Sequence, residues 1–352
     1  MNNLELRNLN LKDPDQFEQW SAFLKSLGIG NFSSVETDPL DGTIGLFENN
    51  QLIATGSYAG NILKYIAVCN KSSNNGALFN RVISELLNIL AQKDIFHVLV
   101  FTKPKYCKSF EQVGFSLIVK SDDAAFLETG DQSITSYLAD LPKFKDTEKI
   151  GAIVMNANPF TNGHRYLIEQ AAKNSDHVYV FVVSTDKSLF TTKERTEMIK
   201  AGTKDLDNVV VVPGGDYLVS YATFPAYFLS YENDKIVYQT TIDALVFKQW
   251  IAKQLSISTR YLGTEPESRT TKIYNEVLEE VLPPDVQVNV IPRLCDDNNG
   301  EIVSARTVRL AIANDEIAKI KALVPPTTYD FIIKNKQVLQ DRIKKGMKIS
   351  GN

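Results

Sequence analysis

The sequence has few of the features that mark several common protein classes. Of its 352 residues only three are cysteines, Cys69, Cys107 and Cys295, and they form no CxxC pair. An odd number of widely spaced cysteines argues against a zinc site or a disulfide framework and favours reduced thiols in a cytosol. No apolar run reaches the roughly 20 residues needed to cross a bilayer.

Signals for export and for polyanion binding are also weak. The first residues, MNNLELRNLNLKD, lack the basic-then-apolar pattern of a signal peptide, so a cytoplasmic protein is expected. The formal net charge is only −4. This balance argues against general binding to nucleic acid or to an anionic membrane.

The residues that are present fit a soluble globular protein of two domains. Hydrophobic residues make up 43% and charged residues 23%, and the length suits two domains of ordinary size. The polar stretch Gly130–Lys149 is the best boundary. We therefore predict an N-terminal domain over 1–130, a linker over 131–148, a second domain over 149–328 and a basic tail over 329–352.

The two halves differ in their pattern of strands and helices. The first half predicts an α+β domain, with helices at Asp13–Leu27, Gly76–Leu90 and Tyr106–Val113 and strands at Thr43–Glu48, Leu52–Ala59, Ile62–Val68, His97–Thr102 and Phe115–Val119. The second half alternates strand and helix, with strands at Ile150–Met155, His177–Val183, Val209–Val212, Thr259–Gly263 and Val286–Ile291. Such alternation predicts an α/β fold with a parallel sheet, whose ligands bind beyond the carboxyl ends of the strands.

The most informative segment is Ile153–Ile168, IVMNANPFTNGHRYLI. A strand ends at Met155, and the loop that follows contains Asn156, Asn158, Pro159 and Phe160. Gly163 and His164 then open a helix, whose free N–H groups and partial positive charge suit a phosphate. Gly163 lets the backbone approach a ligand, and His164 can donate a hydrogen bond to a phosphate oxygen. A plain helix-capping turn is the alternative, and the strand–loop–helix context favours the phosphate site.

This segment resembles the signature of the HxGH nucleotidylyltransferase superfamily, in which it follows the first strand of a Rossmann-like domain. Thr161 stands at the first histidine position, so one imidazole is missing, although its hydroxyl retains a hydrogen-bond donor. The resemblance implies that His164 and Thr161 act at the phosphates.

A second superfamily feature is Ile302–Arg309, IVSARTVR, which resembles the ISxTxxR-type motif that grips a triphosphate. Ser304 is a good N-cap, and Arg306 and Arg309 share a helix face from which their forks can hold pyrophosphate oxygens. The superfamily also has a basic residue after the second strand, and Arg195 fits that role better than Lys187 or Lys193. Solvated surface charge is the alternative for all these cations.

Three segments together resemble the citrate lyase ligase family: NPFTNGHRYLIEQA, ATFPAYF and GTEPESRTTKIYNE. The resemblance implies an acid–thiol ligase that uses ATP, with Mg²⁺ to neutralise the triphosphate, to join acetate to a thiol of citrate lyase. That thiol belongs to a dephospho-CoA-derived prosthetic group on the acyl carrier subunit of the lyase. Gly263, Thr264 and Glu265 end a strand and are expected to bind nucleotide or substrate, although Glu265 fits a helix entry equally well.

The N-terminal half resembles the GNAT acetyltransferase fold. The segment Cys69–Leu78 stands where that fold has a loop that binds the CoA pyrophosphate, and only Gly76 matches the usual pattern; Phe110–Phe115, FEQVGF, resembles its ending. The resemblance implies that this domain receives the CoA-like prosthetic arm, with a degenerate docking domain as the alternative.

Two other functions stay open at this point. One is a nucleotidylyltransferase that acts on a phosphorylated cofactor precursor, which would need a basic acceptor pocket that is not evident. The other is a non-catalytic ATP-binding regulator, against which His164, Ser304, Arg306 and Arg309 argue, while Thr161 keeps it open. The basic tail is expected to be a solvated helix face.

Overall fold

The computed structural model describes residues 4–69, 75–184, 188–218, 232–264, 269–294, 303–347 and 349. The chain forms two compact units, one of Met1–Ala139 with Phe224–Ile242 and one of Asp140–Thr223 with Asp243–Asn352. The first division, after Ala139, falls within the stretch predicted as a linker. None of the described helices is both long enough and apolar enough to cross a membrane.

The first unit is built on a mixed seven-stranded sheet with the order β1-β2-β3-β4-β5-β7-β6. The strands are β1 (Leu4–Asn8), β2 (Gly42–Glu48), β3 (Gln51–Ala59), β4 (Ile62–Val68), β5 (Val98–Thr102), β6 (Ser116–Lys120) and β7 (Ala125–Thr129). The described α-helices are α1 (Pro14–Ser26), α2 (Ser34–Thr37), α3 (Asn75–Ala91), α4 (Cys107–Glu111) and α5 (Ile134–Ala139). The apolar face of α3, with Val82 and Leu86 at its centre, packs on the sheet and closes the core.

Local signals account for much of this unit. Asp13 caps α1 by accepting from the N–H groups of Asp15 and Gln16, and Pro14 occupies the first helical position. Asn49 and Asn50 both have positive φ, which suits the two-residue turn of the β2–β3 hairpin. Strands β4 and β5 run parallel but pair over only two residues each, whereas the other pairs are antiparallel.

The second unit contains a five-stranded, wholly parallel sheet with the order β10-β9-β8-β11-β12. Its strands are β8 (Ile150–Met155), β9 (His177–Val182), β10 (Val209–Pro213), β11 (Ile257–Gly263) and β12 (Gln287–Ile291). The described helices of this unit are α6 (Asn162–Lys173), α7 (Thr192–Gly202), α9 (Arg269–Val281), α10 (Ala305–Ala313) and α11 (Pro326–Lys344). A further helix, α8 (Glu232–Val246), belongs to the first unit as far as Ile242. The strand order reverses between β8 and β11, which is the topological switch point of the sheet.

The predicted fold class is confirmed, since an α+β unit accompanies a unit with a parallel sheet. The elements that were not predicted include β1, β7, the short helix α2, and α8 with its π-helical continuation Phe247–Ala252. Of the basic residues near the end of the chain, Lys334, Lys336, Arg342 and Lys344 belong to α11. This helix packs on α7 and α10, and its Ile332 and Leu339 are fully buried. Its surface is therefore only partly the solvated face that was expected.

Candidate functional site

A cavity of about 580 Å³ lies in the second unit, beyond the carboxyl ends of β8 and β11. This is where the switch point of a parallel sheet is expected to bind ligands. The two predicted phosphate motifs meet there although they are far apart in sequence. The predicted site residues that line the cavity are Asn156, Asn158, Thr161, Gly163, His164, Gly263, Ser304, Arg306 and Arg309.

The loop between β8 and α6 has an unusual backbone. Ala157 has φ of 49°, in the left-handed region that a residue with a Cβ seldom adopts. The carbonyl before it, of Asn156, accepts a hydrogen bond from Arg195 Nη1 at 2.7 Å. The carbonyl after it, of Asn158, accepts one from Arg309 Nη1 at 2.5 Å. Two guanidinium groups therefore hold the loop on either side of its least favourable residue.

Arg195 is placed differently from its predicted role. Its side chain is fully buried and does not line the cavity. Besides Asn156, its guanidinium donates to the carbonyls of Phe190, at 3.1 Å, and Val183, at 2.9 Å. The structure thus replaces the predicted phosphate contact with a structural one, because these main-chain carbonyls take the donors that a phosphate would need.

Arg306 and Arg309 lie one helical turn apart on α10, and their environments differ. Ser304 caps this helix by accepting from the N–H of Arg306 at 3.2 Å, as predicted. The Arg306 side chain is exposed at the cavity and makes no hydrogen bond to a described residue. Arg309 is only 2% exposed, and its Nε donates to the carbonyl of Ile349 at 2.9 Å. Burial, and then the charge of Arg306, lowers the pKa of Arg309 to about 10.

His164 is held by a reciprocal cap at the start of α6. The N–H of Thr161 donates to His164 Nδ1 at 3.1 Å, and the N–H of His164 donates to Thr161 Oγ1 at 3.4 Å. Burial lowers the pKa of His164 to about 4, and the charges of Arg293 and Arg309 act in the same direction. The imidazole is therefore neutral at physiological pH, and it is suited to donate a hydrogen bond rather than to supply charge.

The first turn of α6 leaves room for a ligand next to the backbone. A Cβ added to Gly163 would meet no atom closer than 3.4 Å, the nearest being the carbonyl oxygen of Val303. The helix therefore does not require glycine here for its own packing, and the ligand contact expected of Gly163 stays a prediction. Pro159 and Phe160 belong to the same loop but do not line the cavity, and the buried Phe160 ring lies 6.1 Å from the imidazole of His164.

Two of the predicted residues at the end of β11 are described, and only one of them lines the cavity. Gly263 lines the cavity, and a Cβ there would have nothing within 4 Å. Thr264 does not line it; its N–H donates to the carbonyl of Ile291 and its Oγ1 accepts from the N–H of Arg293 at 3.0 Å. It thereby joins the ends of β11 and β12. Glu265 and Lys187 lie outside the described residues.

Comparison with known proteins identifies the family of this chain. The sequence model of the family described as the citrate lyase ligase C-terminal domain matches residues 150–332, which is more than half of the chain. The [citrate [pro-3S]-lyase] ligase of Haemophilus influenzae is 36% identical over 336 residues, which cover 91% of this chain and 98% of that protein. The chain belongs to the citrate lyase ligase family. The family and the ligase class predicted from the sequence are thus confirmed.

Solved structures resemble this chain only in part. A bifunctional NMN adenylyltransferase/ADP ribose pyrophosphatase from Francisella tularensis is 19% identical, with a TM-score of 0.37, over 56% of this chain and 54% of that one. An N-acetyltransferase from Staphylococcus aureus is 18% identical, with a TM-score of 0.29, over 36% of this chain and 97% of that one.

Tyr274, Asn275 and Arg293 are among the polar residues that line the cavity and were not predicted. Tyr274 and Asn275 lie on α9, within the family segment GTEPESRTTKIYNE, and Asn275 Nδ2 donates to the carbonyl of Gly263 at 3.1 Å. Arg293 lies two residues beyond the end of β12, so the rule that ligands bind at the carboxyl ends of strands was enough to find it. The Tyr274 hydroxyl donates to Asp243 Oδ2 at 2.8 Å, and burial raises the pKa of that carboxyl to about 6.

The cavity suits an anion more than a metal ion. None of the described residues that line it is an aspartate or a glutamate, whereas three arginines do line it. In the described ranges no group of three His, Cys, Asp or Glu side chains is placed to hold a metal ion. These features fit the phosphates of a nucleotide.

Gly76 belongs to the first unit, where it lies in the first turn of α3. A Cβ added there would have nothing within 4 Å. Residues 70–74 of the loop before it are outside the described part of the chain, as is ATFPAYF of the family signature.

Proposed function

We propose that this member of the citrate lyase ligase family acetylates the prosthetic-group thiol of citrate lyase, using ATP and an acetyl adenylate. AMP and pyrophosphate are the other products. Family membership supports the overall reaction. The observation that carries the nucleotide step is the cavity itself, where the N-terminus of α6, His164 and Arg306 meet at the switch point with no described carboxylate beside them.

The first step needs little acid–base chemistry. A carboxylate oxygen of acetate attacks the α-phosphorus of ATP, the bond to the oxygen bridging the α- and β-phosphorus atoms breaks, and pyrophosphate leaves. No proton is transferred, so catalysis depends on positioning and on stabilisation of charge. A neutral imidazole at His164, the exposed guanidinium of Arg306 and the N–H of Gly163, which has no acceptor among the described residues, supply that stabilisation.

The second step makes the thioester. The thiolate of the prosthetic group attacks the acetyl carbonyl, the bond to the adenylate oxygen breaks, and AMP leaves. Adenylation thus converts a poor acyl donor into a good one and divides one difficult reaction into two. The acyl carrier subunit of citrate lyase, with its dephospho-CoA-derived arm, is the proposed acceptor.

Mg²⁺ is proposed to enter with ATP rather than to be held by a protein site. The described lining provides no carboxylate for it, and Mg²⁺ commonly stays bound to phosphates and water. When bound, it neutralises part of the triphosphate charge.

The direct test is pyrophosphate release from ATP and Mg²⁺ with a panel of short carboxylates, with and without deacetylated citrate lyase. We expect release that depends on acetate, formation of AMP and recovery of lyase activity. Arg306→Gln should weaken release, whereas Lys319→Gln, a surface cation paired with Glu316, serves as the matched control. ATP binding with no release for any carboxylate would contradict the proposal and would favour another acceptor or a regulatory role.

We propose further that the first unit receives the prosthetic arm near the start of α3. Gly76→Asp adds a negative charge where space is open, so it should impair transfer to the lyase while acetyl-AMP still forms. Gly76→Ala adds volume without charge and is the control. Equal loss of both steps in Gly76→Asp would contradict this role.

A further inference from the structure

The contacts of His164 determine which of its ring nitrogens carries the hydrogen. Nδ1 lies 3.1 Å from the N–H of Thr161 and 2.8 Å from Thr161 Oγ1. A backbone N–H can only donate, so Nδ1 must accept and cannot itself be protonated. In a neutral imidazole the hydrogen is then on Nε2.

The Thr161 hydroxyl reinforces the same arrangement. Its oxygen accepts from the N–H of His164, so its own hydrogen remains available to donate to Nδ1. Thr161 is only 1% exposed, which fixes its side chain in place. This is the geometry of a capping box, in which histidine takes the position that glutamate or glutamine normally occupies.

Nε2 is the nitrogen left for a ligand. His164 lines the cavity, and Nε2 makes no hydrogen bond to any residue that the structure describes. Arg293, after β12, and Arg309, on α10, are the charged groups that act on the ring, and both disfavour a second proton. The histidine therefore presents one N–H donor and no charge.

We propose that Thr161 is a positioning residue, which holds His164 as the tautomer with its hydrogen on Nε2 and directs that hydrogen to an anionic oxygen in the cavity. Thr161 then contacts the imidazole in place of the phosphate contact predicted from the sequence. Threonine at the first histidine position of the HxGH signature then has a function of its own, which is to orient the imidazole of His164. The benefit to catalysis rests on the proposed function, whereas the tautomer itself does not.

NMR of protein labelled with ¹⁵N only at histidine tests the tautomer directly, because the chain has just three histidines. His164→Gln assigns the His164 signals, and His97 and His177 are internal references. We expect protonated Nε2 and unprotonated Nδ1 at His164, unchanged from about pH 8 to about pH 5. Protonated Nδ1, rapid exchange between tautomers or titration near the ordinary imidazole pKa would overturn the proposal.

Two variants test Thr161 itself. Thr161→Val removes the hydroxyl but keeps the backbone N–H of Thr161, so one of the two donors to Nδ1 remains and the imidazole is held less firmly. A minor second tautomer should then appear in the spectrum, and pyrophosphate release should fall roughly tenfold, less than the roughly 10²–10³-fold that follows loss of one full donor. Thr161→Ser keeps the hydroxyl and should restore both. Thr191→Val is the matched control, since Thr191 forms the same cap with Glu194 on α7, and it should leave the His164 signals unchanged.

The outcomes separate the two hypotheses. A Thr161→Val protein that is less stable, yet has an unchanged His164 spectrum, would show that Thr161 is merely a helix cap and would overturn its positioning role. The expected spectra without pyrophosphate release in any form of the protein would instead contradict the proposed function and leave the tautomer assignment intact.

Discussion

Replacing Arg195 by methionine should destabilise the second unit rather than weaken ATP binding directly. Methionine keeps much of the apolar volume but removes every donor. The carbonyls of Asn156, Val183 and Phe190 would then lose their partner in a buried environment. The loop at Ala157 would also lose one of the two hydrogen bonds that flank its left-handed backbone.

The size of the effect follows from these contacts. A buried acceptor left without a partner costs about 1–3 kcal/mol, so three carbonyls at the lower end cost about 3 kcal/mol. The variant also no longer buries a charged guanidinium, and this saving in desolvation free energy offsets part of any destabilisation above about 3 kcal/mol. For a unit of this size about 1 kcal/mol shifts Tm by about 2–4 °C, so we expect a fall of about 6–12 °C.

Arg306→Met is the matched comparison, because that side chain is exposed and has no hydrogen bond to a described residue. Its free energy of unfolding should change by less than about 0.5 kcal/mol. Its affinity for ATP, measured by calorimetry, should fall. If Arg195→Met kept the wild-type Tm and bound ATP more weakly, the structural role assigned to Arg195 would be refuted, and a direct phosphate contact would be favoured.

Three further predictions concern the same unit. Gly163→Ala should raise the free energy of unfolding by up to about 1 kcal/mol, because alanine favours a helix and its Cβ has room here. Calorimetry should show that the variant binds ATP more weakly. Unchanged affinity would argue against a ligand close to the backbone of Gly163. Since the pKa of His164 is lowered from 6.5 to about 4, the unfolded state takes up a proton before the folded state does, so stability is full above about pH 6.5 and falls toward pH 4. Thermal unfolding across this range should show that His164→Gln flattens the decline, and an identical decline in both proteins would contradict the shift. Arg342→Gln should lower the free energy of unfolding, measured with urea, by about 1 kcal/mol, because Arg342 makes a two-point, partly exposed contact with Glu194. The loss should be smaller at high salt, and a loss that salt does not change would contradict an ionic contribution.

The apolar pattern predicted the sheet of the second unit mainly because β8, β9 and β10 are short apolar runs in a part of the chain where strands and helices alternate. It did not find β1, whose first three residues are all exposed and which is held by main-chain pairing with β2. It also missed α8, whose apolar residues do not form one clear stripe along the helix. Main-chain hydrogen bonds and tertiary burial decide such elements, and neither leaves a repeating apolar pattern in the sequence.

The positions of the phosphate motifs were predictable, but the use of each arginine was not. Arg195 and the Asn156 carbonyl it contacts are 39 residues apart, and Arg309 is 151 residues from Asn158. A motif shows only that a cation is present near the end of a strand. Whether its donors face a ligand or a main-chain carbonyl depends on the folded loop, which no local pattern specifies.

The distinction between contact and charge matters for Arg309. Its donors reach the carbonyls of Asn158 and Ile349, yet it lines the cavity and its charge helps to lower the pKa of His164. A charge acts over several ångströms in a partly buried site, even when its hydrogen bonds are used elsewhere. Arg309 therefore both holds the loop and contributes positive potential to the cavity. Loss of activity in an Arg309 variant would not by itself establish a phosphate contact, whereas the same loss at Arg306, which has no such structural contacts among the described residues, would be far more specific.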